Sequence, residues 1–357
     1  MKQYFCLGSY TEPILFGTGE IFNGKGKGIS IYEFENGDGK LINEISTPNP
    51  SFFCVYEAKK KIFAVNEMKK YLGRWGGGIT EITYDSCFNL TLSASWNTGG
   101  KDPCHVEIAP NLGFLVASNF HSGSISLFPL DKQGNISENQ PQIFSHEGSS
   151  VHPIRQKEPH AHSCIFVPNS EIFYIPDLGI DQLVAYEYSG KTVKPFPPGT
   201  IHLPQGSGPR FGEFSKNGKH FYLINELSSE IMHFANIGDR LILQDRQSTL
   251  PPDYAGENIC SDLHLTPDET KLYASNRGHD SIACFNIRND GKLEYANRTP
   301  CGGRTPRNFA IDPLGNYVLV GNQDSDYIAV FRIRPDGALD LQNRIEAGSP
   351  VCIRFIA

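Results

Sequence analysis

The sequence predicts an all-β protein, a seven-bladed β-propeller with four antiparallel strands per blade. Three observations carry the prediction: a recurring pair of hairpins, a period of about fifty residues, and an incomplete copy of the unit at each end. The second strand of each unit ends in Asn or Asp, at Asn66, Asn119, Asp177, Asn225, Asn276 and Asn322, giving intervals of 53, 58, 48, 51 and 46 residues. Strand patterns repeating at that spacing mean propeller blades rather than stacked helices.

In chain order, Gln3 to Tyr10 reads as a strand. MKQYFCLGSYTEP lacks the uninterrupted apolar segment of ~7–15 residues that a signal peptide needs. The glycine-rich excursion Glu12 to Gly28 contains GTGEIFNGKGKG but does not lead into a helix as a phosphate-cradling loop would. It is expected to be a long flexible connection. GISIYEFENGDGKLINE follows as two strands around an Asn-Gly-Asp-Gly hairpin turn.

Six inner hairpins come next, the clearest being DPCHVEIAPNLGFLVASNF (102–120), HAHSCIFVPNSEIFYIPD (160–177), GPRFGEFSKNGKHFYLINE (208–226), CSDLHLTPDETKLYASNR (260–277) and TPRNFAIDPLGNYVLVGNQ (305–323). PSFFCVYEAKKKIFAVNE (50–67) is a weaker copy. Outer hairpins such as DQLVAYEYSGKTVKP and SDYIAVFRIRPDGALDL make up four strands per unit. KKYLGRWGGG, with Tyr71 and Trp75, is expected to be a mobile rim loop over a cleft. The C-terminal GSPVCIRFIA is a first strand and nothing more, the piece that the N-terminal copy lacks. The two ends therefore complete one shared blade and close the ring, so that residues 1–357 form one propeller domain.

No apolar run approaches the ~20 residues needed to span a bilayer. A net charge of −7 without a basic block argues against nucleic acid and anionic membrane partners. Nine cysteines, scattered singly, read as free thiols in a reducing cytoplasm. Any anion must then be held by local positive charge.

First strands line the central channel of a propeller, so one register position should converge from every blade. Stepping back six residues from each inner turn gives Ser51, Cys104, His162, Arg210, Ser261 and Arg307, followed by Phe52, His105, Ser163, Phe211, Asp262 and Asn308. The residues after the terminal Asn or Asp add Glu67, Phe120, Leu178, Glu226, Arg277 and Gln323. Salt bridges closing the channel could use part of this set. Three arginines against one or two carboxylates leave a surplus that suits a bound anion. The His160-x-His162 pair with His105 and Asp177 or Glu226 is a weaker metal-ligand pattern, without a partner at a characteristic spacing, and neither metal nor cofactor is expected. Cys104 and Cys164 read as buried strand cysteines rather than nucleophiles.

The motifs RQKEPHAHS, GSGPRFGEF, NELSSEI, SNRGHDSIACF, GGRTPRNFAIDPLGNYVLVGNQDSD and YFCLGSYT together resemble the propeller lactonase family over essentially the whole chain. Its members include bacterial 6-phosphogluconolactonase of the β-propeller type and fungal carboxy-cis,cis-muconate cyclase. The resemblance implies a cleft at one channel mouth with His162, Arg210, Glu226 and Arg277 as catalytic residues. His105, His160, Asp177, Arg307 and Gln323 are expected to bind substrate. It implies hydrolysis of a small anionic sugar lactone, 6-phosphogluconolactone foremost, with Glu226 or His162 as base. Lactone formation on a muconate, or a non-catalytic anion- or protein-binding propeller, are the alternatives. Two positions depart from the family pattern: Phe211 stands where many members have His after Gly-Pro-Arg, and Lys216 replaces a more usual turn proline.

Overall fold

Entry into a blade is set by a short backbone device. Asn49, Asp102, Gly208, Thr305 and Ser349 all have positive φ, from 41° to 61°, and each is followed by a proline, which opens the first strand in every case but Pro50, three residues before its strand. The left-handed residue turns the chain back toward the axis and the proline starts it extended. The computed structural model describes residues 2–137, 140–238 and 240–356. Seven sheets of four antiparallel strands follow one another, one of them with a short fifth strand.

The seventh blade closes the ring as the termini predict. Pro350–Ile356 is its innermost strand, paired with Gln3–Ser9, then Ile29–Glu35 and Asp38–Ile45. The register runs from Tyr4 opposite Ile356 to Gly8 opposite Cys352. The core lies in the seams between neighbouring blades, not in one central mass. Phe5, Leu7, Tyr32 and Phe34 of the closing blade, for example, bury against Ala310, Leu319, Ile328 and Val330 of the blade before it.

The residues ending the second strands, Asn66, Asn119, Asp177, Asn225, Asn276 and Asn322, are all 0% exposed. Their side chains tie the strand end to the link from the preceding blade or to the following strand. Asn66 Nδ2 donates to Pro48 O, Asn119 Nδ2 to Ser126 Oγ and Asn322 Nδ2 to Cys301 O. The Nδ2 donors of these asparagines are paired, although Oδ1 of Asn119, Asn225 and Asn322 has no partner among the described residues, and these ties explain the repeat signature read from the sequence.

A second device aims side chains at the axis. The pairing of the first strand with the second skips one residue between Pro103 and His105, between Pro209 and Phe211 and between Pro306 and Asn308, and two residues between Cys260 and Leu263. The skipped residues are Cys104, Arg210, Arg307, Ser261 and Asp262. β-Bulges re-aim side chains, and here Cys104, Arg210, Asp262 and Arg307 line the channel.

Three local expectations are corrected. HAHSCIFV is not a full strand: only Ile165–Phe166 pairs regularly, with an isolated bridge from Ala161 to Asp177. Pro176 on the facing strand has no N–H, so the ladder loses a donor there, although Pro176 O still accepts from His162 N–H at 2.9 Å. The excursion from Glu12 to Gly28 is an arm built on a hairpin, Pro13–Leu15 against Ile21–Asn23, with Phe16 and Phe22 packed on Tyr10. KKYLGRWGGG forms its own small hairpin, Lys70–Tyr71 against Arg74–Trp75, and lines no part of the cleft described below; Tyr71 is buried, with its hydroxyl 3.1 Å from Thr80 Oγ1. The arm, not this loop, overhangs the cleft.

Candidate active site

At one mouth of the channel lies a cleft of about 1090 Å³, and below it a neck of about 20 Å³ in the axis of the ring. Cys104, His162 and Arg307 line both spaces and mark their boundary. Glu226, 2% exposed, is at the centre of the cleft floor. One of its oxygens, Oε2, accepts from Arg210 Nε at 3.0 Å and from Arg277 Nη2 at 2.8 Å. The other, Oε1, accepts from Arg155 Nη2 at 2.5 Å. Burial would raise this carboxyl, but Arg155, Arg277 and Arg210 outweigh it and hold it well below the usual carboxylate range.

His162 stands beside this cluster, its Nε2 3.9 Å from Glu226 Oε2 and its Nδ1 3.7 Å from Cys104 Sγ. Burial first, then the nearby charge of Arg210, pushes its pKa well below 6.5. The imidazole is therefore neutral at pH 7 and able to accept a proton. Arg210 is anchored by a second hydrogen bond from Nη1 to Ser261 O, and Arg277 by one from Nη2 to Cys260 O at 2.9 Å. The Nε–H of Arg277 is buried and has no partner among the described residues.

The remaining site residues expected from the sequence separate into three groups. Arg307 and Gln323 line the cleft, Gln323 with its Nε2 donating to Asp324 Oδ1 at 2.8 Å. His105 lies lower, in the neck, stacked on Phe52 with ring centroids 4.2 Å apart and its Nδ1 accepting from Cys164 N–H at 3.3 Å. His160 and Asp177 do not line the cleft. His160 stacks on Phe120 at 4.4 Å, and its Nδ1 is 3.0 Å from Phe120 O. Asp177 is wholly buried, accepting from His160 N–H at 2.7 Å and Gly179 N–H at 3.0 Å, with His146 Nδ1 at 2.6 Å. Both oxygens are occupied, so Asp177 shapes the segment carrying His162 and is not placed to touch a ligand. His160 and His162 also diverge, one face-on and the other edge-on to the same Phe120 ring.

Sequence reasoning missed Arg155, Glu67, Tyr10 and Phe16 as members of the site. Arg155 lies outside the repeat register, in a loop fixed by its own N–H to His152 Nδ1 at 3.1 Å and by Gln156 Nε2 to Leu178 O at 2.8 Å. Its only signal was its place in the ionisable run RQKEPHAH. Glu67 appeared in the second ring; the structure joins its Oε2 to Tyr10 Oη–H at 2.7 Å. Burial raises the Glu67 carboxyl, opposed by Arg307.

The model of the family described as "Lactonase, 7-bladed beta-propeller" matches residues 4–355. The chain belongs to this lactonase family. Relatives of the lactonase include a protein named 6-phosphogluconolactonase from Formosa agariphila, 33% identical over 306 residues, covering 83% of this chain and 85% of the relative. A Bacillus subtilis protein of the same name is 28% identical over 303 residues, covering 83% and 84%. Among solved structures, the periplasmic gluconolactonase of Pseudomonas aeruginosa superposes on this lactonase with a TM-score of 0.91 at 30% identity, over 100% of this chain and 99% of that one.

Proposed function

We propose that this protein hydrolyses a sugar lactone, 6-phosphogluconolactone to 6-phosphogluconate, with His162 as the base. The carrying observation is an imidazole at the floor of the cleft, 3.9 Å from a carboxylate already committed to three arginines, with burial and Arg210 favouring its neutral form. The names of the two relatives support the same substrate class. Glu226 is a poor base because both its oxygens accept arginine N–H groups; it holds Arg155, Arg210 and Arg277 in place instead.

In the reaction, His162 takes a proton from water while the oxygen adds to the lactone carbonyl carbon. The carbonyl oxygen becomes an oxyanion facing Arg277, whose Nε–H is without a partner. Collapse of the adduct reforms the carbonyl and breaks the bond to the ring oxygen, which leaves with the proton that His162 took. A positioned base contributes about 10²–10⁴-fold and an oxyanion donor about 10²–10³-fold. We further propose a cytoplasmic setting in the pentose phosphate pathway; nine free cysteines, eight of them buried, favour a reducing compartment.

The test is a pH-stat assay on freshly made 6-phosphogluconolactone beside glucono-δ-lactone, with spontaneous hydrolysis subtracted. Acceleration that His162→Gln abolishes supports the assignment. No acceleration of either lactone removes it.

A further inference from the structure

The floor of the cleft gathers four arginines around buried carboxylates. Arg155, Arg210, Arg277 and Arg307 stand with Glu226 and Glu67, while Glu20, Glu257 and Asp324 also line the cleft and Asp262 the neck. Arg155, Arg210 and Arg277 are tied to Glu226. Arg307 is held differently: its guanidinium carbon lies 5.3 Å from the ring centroid of Tyr10 and 5.3 Å from that of Phe16. Tyr10 and Phe16 orient this guanidinium through their faces, and the nearby carboxylates Glu67 and Glu226 act on its charge. Glu67, which lines the same cleft as Arg307, fixes the Tyr10 ring by the 2.7 Å hydrogen bond.

Phe16 reaches Arg307 only because of the arm. Its strands pair Pro13 with Asn23 and Leu15 with Ile21, and Phe22 stacks behind Phe16 at 5.7 Å. The arm also crosses the cleft: a Cβ added at Gly17 would stand 3.0 Å from the Phe120 ring and 3.3 Å from Arg155 Nε, on the opposite wall. The glycine-rich excursion therefore makes no phosphate-cradling loop; it brings an aromatic ring over Arg307.

We propose that Arg307, clamped between Tyr10 and Phe16, is the subsite for a dianionic phosphoryl substituent on the lactone, and that the arm confers preference for phosphorylated over neutral lactones. This rests on the lactonase reading above and adds to it which group reads the substituent and which segment sets specificity. A guanidinium held through its faces offers paired donors to phosphoryl oxygens.

The test compares wild type, Arg307→Gln and Phe16→Ala on 6-phosphogluconolactone and on glucono-δ-lactone, with circular dichroism melts to establish folding. Arg307→Gln should lower kcat/KM on the phosphorylated lactone on the order of 100-fold, with a loss on the neutral lactone at least about ten-fold smaller. Phe16→Ala, on the exposed arm, should lower the phosphorylated substrate's kcat/KM about ten-fold by freeing one side of the clamp. Equal losses on both lactones would overturn the proposal, placing Arg307 at the reacting centre. Calorimetric titration with 6-phosphogluconate and with gluconate separates this from failure of the lactonase reading. If wild type hydrolyses neither lactone yet binds 6-phosphogluconate more tightly than gluconate in an Arg307-dependent way, the subsite stands and the activity falls. If binding does not depend on Arg307, or gluconate binds as well, the subsite itself is wrong.

Discussion

Arg210, on the first strand of its blade, and Glu226, just past the end of the second, meet at 3.0 Å because a bulge at Arg210 turns its side chain toward the axis. Glu226 is thereby a structural counter-ion for three arginines from three parts of the chain. Glu226→Gln should leave those cations unpaired in a buried site, at a cost of about 3–5 kcal/mol. Denaturant unfolding would read the loss. Little change in stability would mean that the arginines do not depend on Glu226.

The same carboxyl sets a pH dependence. Its folded pKa lies well below the ordinary 4.5, so its contribution is present above 4.5 and is lost as pH falls from 4.5 toward the folded value. Stability measured from pH 7 downward should decline in that window for wild type. In Glu226→Gln the decline should be smaller, since the variant never had the contribution to lose.

For His162 the depressed pKa works on activity. A base must be neutral, so the acid limb of kcat/KM should lie below 6.5 rather than at it. His162→Gln should lose about 10²–10⁴-fold in kcat and retain the wild-type melt. An acid limb at or above 6.5, or a variant with near-normal turnover, would remove His162 from the mechanism.

How much of this was legible in the sequence follows from where each residue sits relative to the repeat. Cys104, His162, Arg210, Ser261 and Arg307 share one register position, so a fixed step from the turn found them even though the bulges that aim them were not anticipated. The termini were legible because a lone first strand and a blade without one complete each other. Asp177 misled for the same reason: it ends a second strand like the neighbouring asparagines, and that position is a structural tie throughout the ring. Arg155, Tyr10 and Phe16 belong to no repeat position. They reach the site through loops whose path depends on tertiary contacts, such as Gly17 against Phe120 and Arg155.

Below the cleft, His264 illustrates the opposite sign. Burial alone would lower its pKa, but Asp262 at 3.1 Å from Nε2 and Glu213 at 3.1 Å from Nδ1 raise it to about 10. A raised pKa stabilises fully below the unfolded value of 6.5 and ceases to do so as pH rises through about 10. The stability gap between wild type and His264→Gln should therefore be widest below 6.5 and close progressively toward 10. A gap that stays constant over that range would show that the imidazolium pair contributes nothing specific.

Closure of the ring depends on the last strand. Val351, Cys352 and Ile353 are at most 2% exposed and Ile356 is 6% exposed, and Ile353 N–H donates to Asn308 Oδ1 at 2.6 Å across the seam to the previous blade. Burying Val351, Ile353 and Ile356 contributes about 1.5–3 kcal/mol each, which together is comparable with the whole net stability of a domain, about 5–15 kcal/mol. Removing residues 350–357 would also expose the inner edge of Gln3–Ser9, an unpaired strand able to recruit another chain. The truncated protein should fail to accumulate in soluble form or should unfold without a cooperative transition, as followed by circular dichroism and size-exclusion chromatography. A soluble monomer melting near the wild-type temperature would show that six blades close without the seventh blade's inner strand, and that the pairing of the two ends is dispensable.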